Sequence, residues 1–557
     1  MQRLFVILFV YTVIWALPGS AQNLLSHYLA ANNALAQSDF QTADIRFQQA
    51  LAIDESAAEI LSNAVLPALI VDDFDRAVDY ARRLDRQDLQ SEIAELILLT
   101  EAVNREDFDA ASSLLEEAEA SFPPILHGLL SGWVALGQGS INKALSSLDR
   151  MEEPLAAEIF GQFHKALVLA SVGDFEGADK ILTGDERGNL RLTTGSILAH
   201  VQILSELGER DRALLLHDSL RQALAPEIWN QQRRQILASV LPYDKISTAK
   251  EGVAETFLSL ATVLESHQAD YLNLALAKLS SILIEQNELT LFAAEQFVGL
   301  GQFELALREY DKIKPGDFEF LDSEFGRADA LVDAGQNQAA IEVLRGLERD
   351  LPNDPRLSIA IGDIYRMDNL CIDALKAYAR AEEVIDRFRA DHWFIYHAKG
   401  ICNFELDRWD EAEASFRRAL ELSPNRASVL NYLGYSLVER NEKLDEAQDM
   451  IRLAADLRPD SGAIADSLGW VYYRLGKFKE AVAPMEKAIA LLPTDPVIND
   501  HLGDVYWKVG REREAEFQWR RALSFDPLEK DAARIRDKLE RGLDIILEEE
   551  QAFAGAQ

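Results

Sequence analysis

The stretch from Leu468 to Pro493, LGWVYYRLGKFKEAVAPMEKAIALLP, decides how the rest of the chain is read. Leu468, Gly469 and Tyr472 share one face of a helix by their i, i+1 and i+4 spacing, and Ala481, Met485 and Ala488 share one face of a second. Gly476 sits where a turn joins the two, and Pro493 ends the second because proline cannot continue the hydrogen-bond ladder. Gly469 and Ala481 are small where the two helices must approach. About thirty-four residues on, Leu502, Gly503, Tyr506, Gly510, Ala515, Trp519, Ala522 and Pro527 restate the pattern place for place. A hairpin of this size cannot bury its apolar faces alone, so neighbours must stack.

The small alanine of the second helix can be followed upstream through Ala447, Ala412, Ala374, Ala340 and Ala306, then less cleanly through Ala213, Ala178, Ala144, Ala111, Ala77 and Ala43. Its companions hold the register: Gly301-Gln302-Phe303 precedes Ala306, Gly173-Asp174-Phe175 precedes Ala178, and Phe40 precedes Ala43. Period and pattern resemble the tetratricopeptide repeat, which implies an all-α solenoid, a right-handed superhelix of helical hairpins. Register fails between Ala213 and Ala306, where Pro226, Pro242 and the polar run Tyr243 to Glu251 intervene. The long step from Ala374 to Ala412 carries the charged segment Glu382 to Asp391 and is expected to extend a helix. The expected organisation is a leader at 1–21, a divergent array at 22–242, a second array at 243–527, a capping helix at 528–548 and a disordered tail at 549–557.

The leader reading rests on Arg3, the apolar run from Leu4 to Leu17 and the small residues up to Ala21, a segment short for a bilayer span. It predicts a chain exported to the periplasm, with no stable membrane insertion after cleavage after Ala21. The formal charge of -37 disfavours nucleic acid and anionic lipid surfaces, and steers basic partners in. Acidity that only keeps an elongated protein soluble explains the same charge equally well. Two cysteines, Cys371 and Cys402, fall at packing positions of neighbouring repeats; that is too few for a disulfide framework, and pairing is left open.

No catalytic constellation emerges. The nine histidines are scattered, and the closest pair, His392 and His397, is five residues apart, which turns the rings off a common helix face. There is no nucleophile elbow and no phosphate-cradling glycine loop, and Gly184-Asp185-Glu186-Arg187-Gly188 reads as a turn between helices. No enzyme, cofactor or metal is expected. A binding surface remains. In a tetratricopeptide stack the first helices line the groove, which places Phe404, Tyr435, Trp470, Tyr473 and Trp507 on the groove side as candidate partner anchors. Packing between repeats accounts for the same aromatics equally well.

From Val253 to Leu543 the resemblance sharpens. Leu430-Asn431-Tyr432-Leu433-Gly434-Tyr435-Ser436, Asp466-Ser467-Leu468-Gly469-Trp470, Pro496-Val497-Ile498-Asn499-Asp500-His501-Leu502-Gly503-Asp504 and Gln518-Trp519-Arg520-Arg521-Ala522-Leu523 resemble exported proteobacterial tetratricopeptide proteins. Relatives of that kind include outer-membrane lipoproteins acting as adaptors for carboxy-terminal processing proteases. The resemblance implies a non-enzymatic envelope scaffold that captures proteins and delivers clients to such a protease; a structural scaffold for outer-membrane or cell-wall assembly is the alternative. No cysteine stands near the leader's end to carry a lipid. The carboxylate clamp of chaperone-binding repeats is missing, because Asp466 with Trp470 and Asp500 with Asp504 stand where lysine and asparagine would be needed.

Overall fold

The computed structural model describes residues 19–118, 121–151, 155–184, 194–221, 226–264, 271–317 and 319–554, and these form α-helices joined by short turns, with no β-strand among them. Contacts divide the chain into one unit at Met1–Gln336 and another at Asn337–Gln557. The register break at 242 therefore falls inside the first unit. Most of the leader expected at 1–21, and the turn expected at 184–188 beyond Gly184, lie outside the described residues.

The repeating alanine is the axis of both units. Ala43, Ala77, Ala111, Ala144, Ala178, Ala213 and Ala306 in the first, and Ala340, Ala374, Ala412, Ala447, Ala481 and Ala515 in the second, are all 0% exposed, so the register read from the sequence is the packing register throughout. Gly469 shows why the opposing position must be small: a Cβ there would stand 2.5 Å from Cγ of Met485 on the paired helix. Several second helices in the first unit begin on an aspartate that caps them. The side chains of Asp39, Asp107 and Asp174 accept the backbone N–H of Thr42, Ala110 and Gly177 at 3.0, 3.1 and 2.9 Å, satisfying donors that helix starts leave free.

In the first unit the lost register has a structural cause. The helices Ala249–Leu264 and Leu272–Leu283 leave the line of the stack and lie against the first helices Ala58–Ile70, Glu92–Asn104 and Pro124–Gly137. Val253, Ala254, Phe257 and Ala261 are fully buried there, in the same core as Trp133, Leu130 and Ile97. Gly252 crosses the Trp133 ring so closely that a Cβ would stand 2.0 Å from it. Lys250 donates to Asn104 at 2.7 Å, and Tyr271 packs edge-on to Phe40 with ring centroids 5.0 Å apart. Lys278, 3% exposed, pairs with Asp72 and Glu309, and Lys312 joins the same two carboxylates. The groove face of this unit is filled by its own chain.

In the second unit the hairpins follow one another: Pro355–Met367 with Cys371–Val384, Trp393–Glu405 with Trp409–Leu422, Ala427–Glu439 with Leu444–Leu457, Gly462–Arg474 with Phe478–Leu491, and Pro496–Lys508 with Glu512–Leu523. The long step after Ala374 does not extend a helix. The helix ends at Val384, and a short 3₁₀ turn at Ala390–His392 leads into the next. Two helices close the unit, Glu529–Arg541 and Leu543–Ala554, so residues 549–554, expected to be disordered, are helical.

Candidate partner-binding face

The face to examine is the row of first helices in the second unit. Trp470 and Tyr473 occupy its centre, one helical turn apart, with rings nearly parallel at 4.7 Å, and Trp470 also stacks on His501 at 3.9 Å. His501 is held by both oxygens of Asp466 at 3.0 and 3.1 Å. Burial opposes a charge on this imidazole, yet Asp466, Asp500 and Asp504 outweigh it and raise its pKa. The Trp470 indole donates to Glu439 on the preceding first helix at 2.7 Å. Trp470 and Tyr473 are each only 8% exposed, whereas Phe404, Tyr435 and Trp507 are half-buried. The five anchors read from the sequence thus separate: two are sealed, and three keep part of their surface. Phe404 meets Trp409 edge-on, while Trp507 donates to Asp544 at 3.0 Å.

The helix Glu529–Arg541 follows on this row and packs its cations against Pro496–Lys508. Its inward face carries Ala532, Ile535 and Leu539 together with two cations, Arg534 and Lys538. Lys538 has a side chain 0% exposed and donates to Asp500 at 2.8 Å and to Asp504 at 2.7 Å. Arg534 lies 3.6 Å from Asp504 and 3.8 Å from Asp500, and bonds Glu550 at 2.8 Å. Burial and then the neighbouring Asp504 push the Asp500 carboxyl above its ordinary range, with Lys538 pulling the other way. Trp519 from the second helix donates to Asp504 at 2.9 Å, completing the cluster.

This helix continues the stack: Arg534 faces Asp500 and Lys538 faces Asp504, each at the repeat offset on the helix Pro496–Lys508. Ile535 and Leu543 share one apolar cluster with Trp470, Tyr473 and Tyr506. Sequence reading took this segment as a cap with a charged outer face; its buried side carries the cation–aliphatic pair Arg534-Ile535, repeated four residues on as Lys538-Leu539.

The remaining polar candidates are structural. His397 is pushed down to about 4 by burial and by Arg366, and sits between the rings of Trp393 and Tyr432. His392 accepts the backbone N–H of Arg389 at 3.1 Å. Among the described residues no group of three or more His, Cys, Asp or Glu side chains is placed to hold a metal. Cys371 and Cys402 are free thiols buried in one small cluster; burial and then Cys371 push the Cys402 thiol up. No helix among the described residues is long and apolar enough to cross a membrane.

Comparison with known proteins meets this geometry at the hairpins themselves. Residues 393–426, and also 325–394 and 433–496, match the tetratricopeptide repeat. The chain carries tetratricopeptide repeats. The TPR repeat-containing protein PA4667 of Pseudomonas aeruginosa is 30% identical over 184 residues, which is 33% of this chain and 30% of that protein. The match thus spans under a third of the relative's length. Among solved structures, Cut9 with Hcn1 from the APC/C is 15% identical, covering 96% of this chain and 98% of that one at a TM-score of 0.39. Yeast Tom70 is 14% identical, covering 94% and 96% at a TM-score of 0.34. The tetratricopeptide assignment rests on the matched repeats and on the packing of the alanine register.

Proposed function

We propose that this tetratricopeptide chain is a non-catalytic, protein-binding adaptor of the bacterial cell envelope, exported to the periplasm by its leader, that captures partners on the first-helix face of its second unit and delivers clients to a carboxy-terminal processing protease. Tetratricopeptide stacks serve mainly as scaffolds for other proteins, and such scaffolds hold segments along the first-helix row. The observation that carries the reading is the row itself: aromatic rings and carboxylates from successive repeats line one face. Phe404 and Tyr435, still partly exposed beside the sealed pair, are the positions from which a partner is engaged.

The filled groove of the first unit favours a second reading, a structural scaffold for outer-membrane or cell-wall assembly, because a face packed with its own helices serves rigidity and not capture. Co-purification of the tagged full chain from the envelope, followed by mass spectrometry, separates the two. Recovery of a processing protease, reduced by Phe404→Ala with Tyr435→Ala, supports the adaptor. Recovery of assembly components alone, unaffected by those changes, supports the structural scaffold and removes the protease from the account.

A further inference from the structure

Cys371 and Cys402 are the only cysteines in the chain, and both fall on one contact between neighbouring hairpins. Cys371 opens the second helix Cys371–Val384, three residues before Ala374, where Trp409, Leu444 and Phe478 stand before their own alanines. Cys402 lies ten residues before Ala412 on the helix Trp393–Glu405, where the later hairpins carry Leu437, Val471 and Val505. A cysteine buries less apolar surface than any of these, so packing alone does not favour it at either place. Both are enclosed, Cys371 6% and Cys402 0% exposed, in a cluster with Ala374, Tyr378, Ile395 and Ala398. The thiols meet: after burial, the hydrogen bond with Cys371 is what raises the Cys402 thiol. Their contact spans the long step from Ala374 to Ala412, where one helix stops at Val384 and a 3₁₀ turn at Ala390–His392 precedes the next. A solenoid is held by nearest-neighbour interfaces, so the joint with the longer connection is where a covalent tie contributes most.

We propose that Cys371 and Cys402 are a disulfide site that ties the hairpin of Pro355–Met367 and Cys371–Val384 to the helix Trp393–Glu405. The thiols described above are its reduced form. Oxidation is by exchange with a disulfide donor, either a protein disulfide of the kind found in oxidising compartments or glutathione disulfide. A Cys371 thiolate attacks one donor sulfur; the donor's S–S bond breaks, a mixed disulfide forms and the other donor sulfur leaves as a thiolate. The Cys402 thiolate then attacks Cys371 Sγ, the bond between the two residues forms, and the donor's second sulfur leaves. Two electrons pass to the donor, and the two thiol protons end on its two sulfurs. Cys371 takes the first step because it is the less enclosed of the two. Arg366 favours the Cys402 thiolate that the second step needs, against the burial that opposes it. Both sulfurs are covered once the hairpins close, so exchange takes place during folding or local opening, and the finished bond is shielded from reductant.

The test maps the thiols of the full wild-type chain. Reduced chain unfolded in urea is refolded with glutathione disulfide, blocked with N-ethylmaleimide and digested for peptide mass mapping. The expected product is a peptide pair linked through Cys371 and Cys402, with no maleimide on either. The folded oxidised chain then loses the bond to dithiothreitol about a hundredfold more slowly than the same chain in urea, since reduction waits on opening. It also unfolds at higher urea than the reduced chain, whereas Cys371→Ala with Cys402→Ala, treated alike, shows no such difference. Free thiols on both residues, glutathione retained on either, chains linked into dimers, or a bond reduced equally fast in folded and unfolded chain overturns the proposal. The same mapping on chain trapped with acid from the cells that make it tests export separately. A bond that forms on refolding but is missing from cells supports the site and contradicts the exported adaptor.

Discussion

At Trp470 the contacts are those of packing. An indole stacked on Tyr473 and His501, hydrogen-bonded to Glu439 and almost wholly buried, sits in the core between repeats. Trp470→Ala is therefore predicted to lower stability by about 3–5 kcal/mol, as large-to-small core changes do, read as a drop in the denaturation midpoint; an unchanged midpoint would restore its reading as a free anchor. Two buried histidines respond to pH in opposite senses. His164 accepts the Trp133 indole N–H at 2.9 Å, and burial, with Lys245 adding, pushes its pKa down to about 3. Below the unfolded value of about 6.5 the unfolded chain binds a proton the native one refuses, so stability falls as pH drops, by roughly 1.4 kcal/mol per unit until about pH 3. His164→Gln keeps an acceptor for Trp133 and is predicted to flatten that slope in denaturation curves taken between about pH 6 and 4. His501 is raised by Asp466 against its burial. Its contribution is present below about pH 6.5 and lost as pH rises through its folded pKa.

Among the elements, hairpins were legible in the sequence and exceptions to them were not. The alanine register held at each hairpin that carries it, because close helix approach imposes it locally, whatever the neighbours are. Where the helices Ala249–Leu264 and Leu272–Leu283 turn back, their sequence still reads as ordinary apolar periodicity. Only the partner surface, supplied by Trp133 and the first helices some hundred or more residues earlier, reveals their place. Glu529–Arg541 was legible as a closing helix, but not its pairing: Asp500 and Asp504 read as free groove acid, and Lys538 neutralises them. That cluster gives a sharp prediction. Lys538→Met leaves two adjoining buried carboxylates without their main cation and is predicted to cost about 3–5 kcal/mol, while combining it with Asp500→Asn and Asp504→Asn recovers most of the loss. A fall in midpoint for the single change with recovery in the triple, measured by urea denaturation, fits the buried network; equal losses would show that Lys538 contributes by packing alone.

For the molecule, the formal charge of -37 means less at the groove than composition suggested, since the carboxylates at the centre of that face are already neutralised from within. The candidate aromatics were found by type and spacing, but exposure, which separates Phe404 and Tyr435 from Trp470 and Tyr473, depends on packing between repeats such as the stack of Trp470 on His501. Site-specific photo-cross-linking in living cells tests the central claim most directly, with a photoreactive residue replacing Phe404 or Tyr435 on the first-helix face, or Phe517, 59% exposed, on a second helix. The account predicts adducts to another protein from Phe404 and Tyr435 and none from Phe517. Adducts from Phe517 alone, with the two groove positions silent, would contradict it.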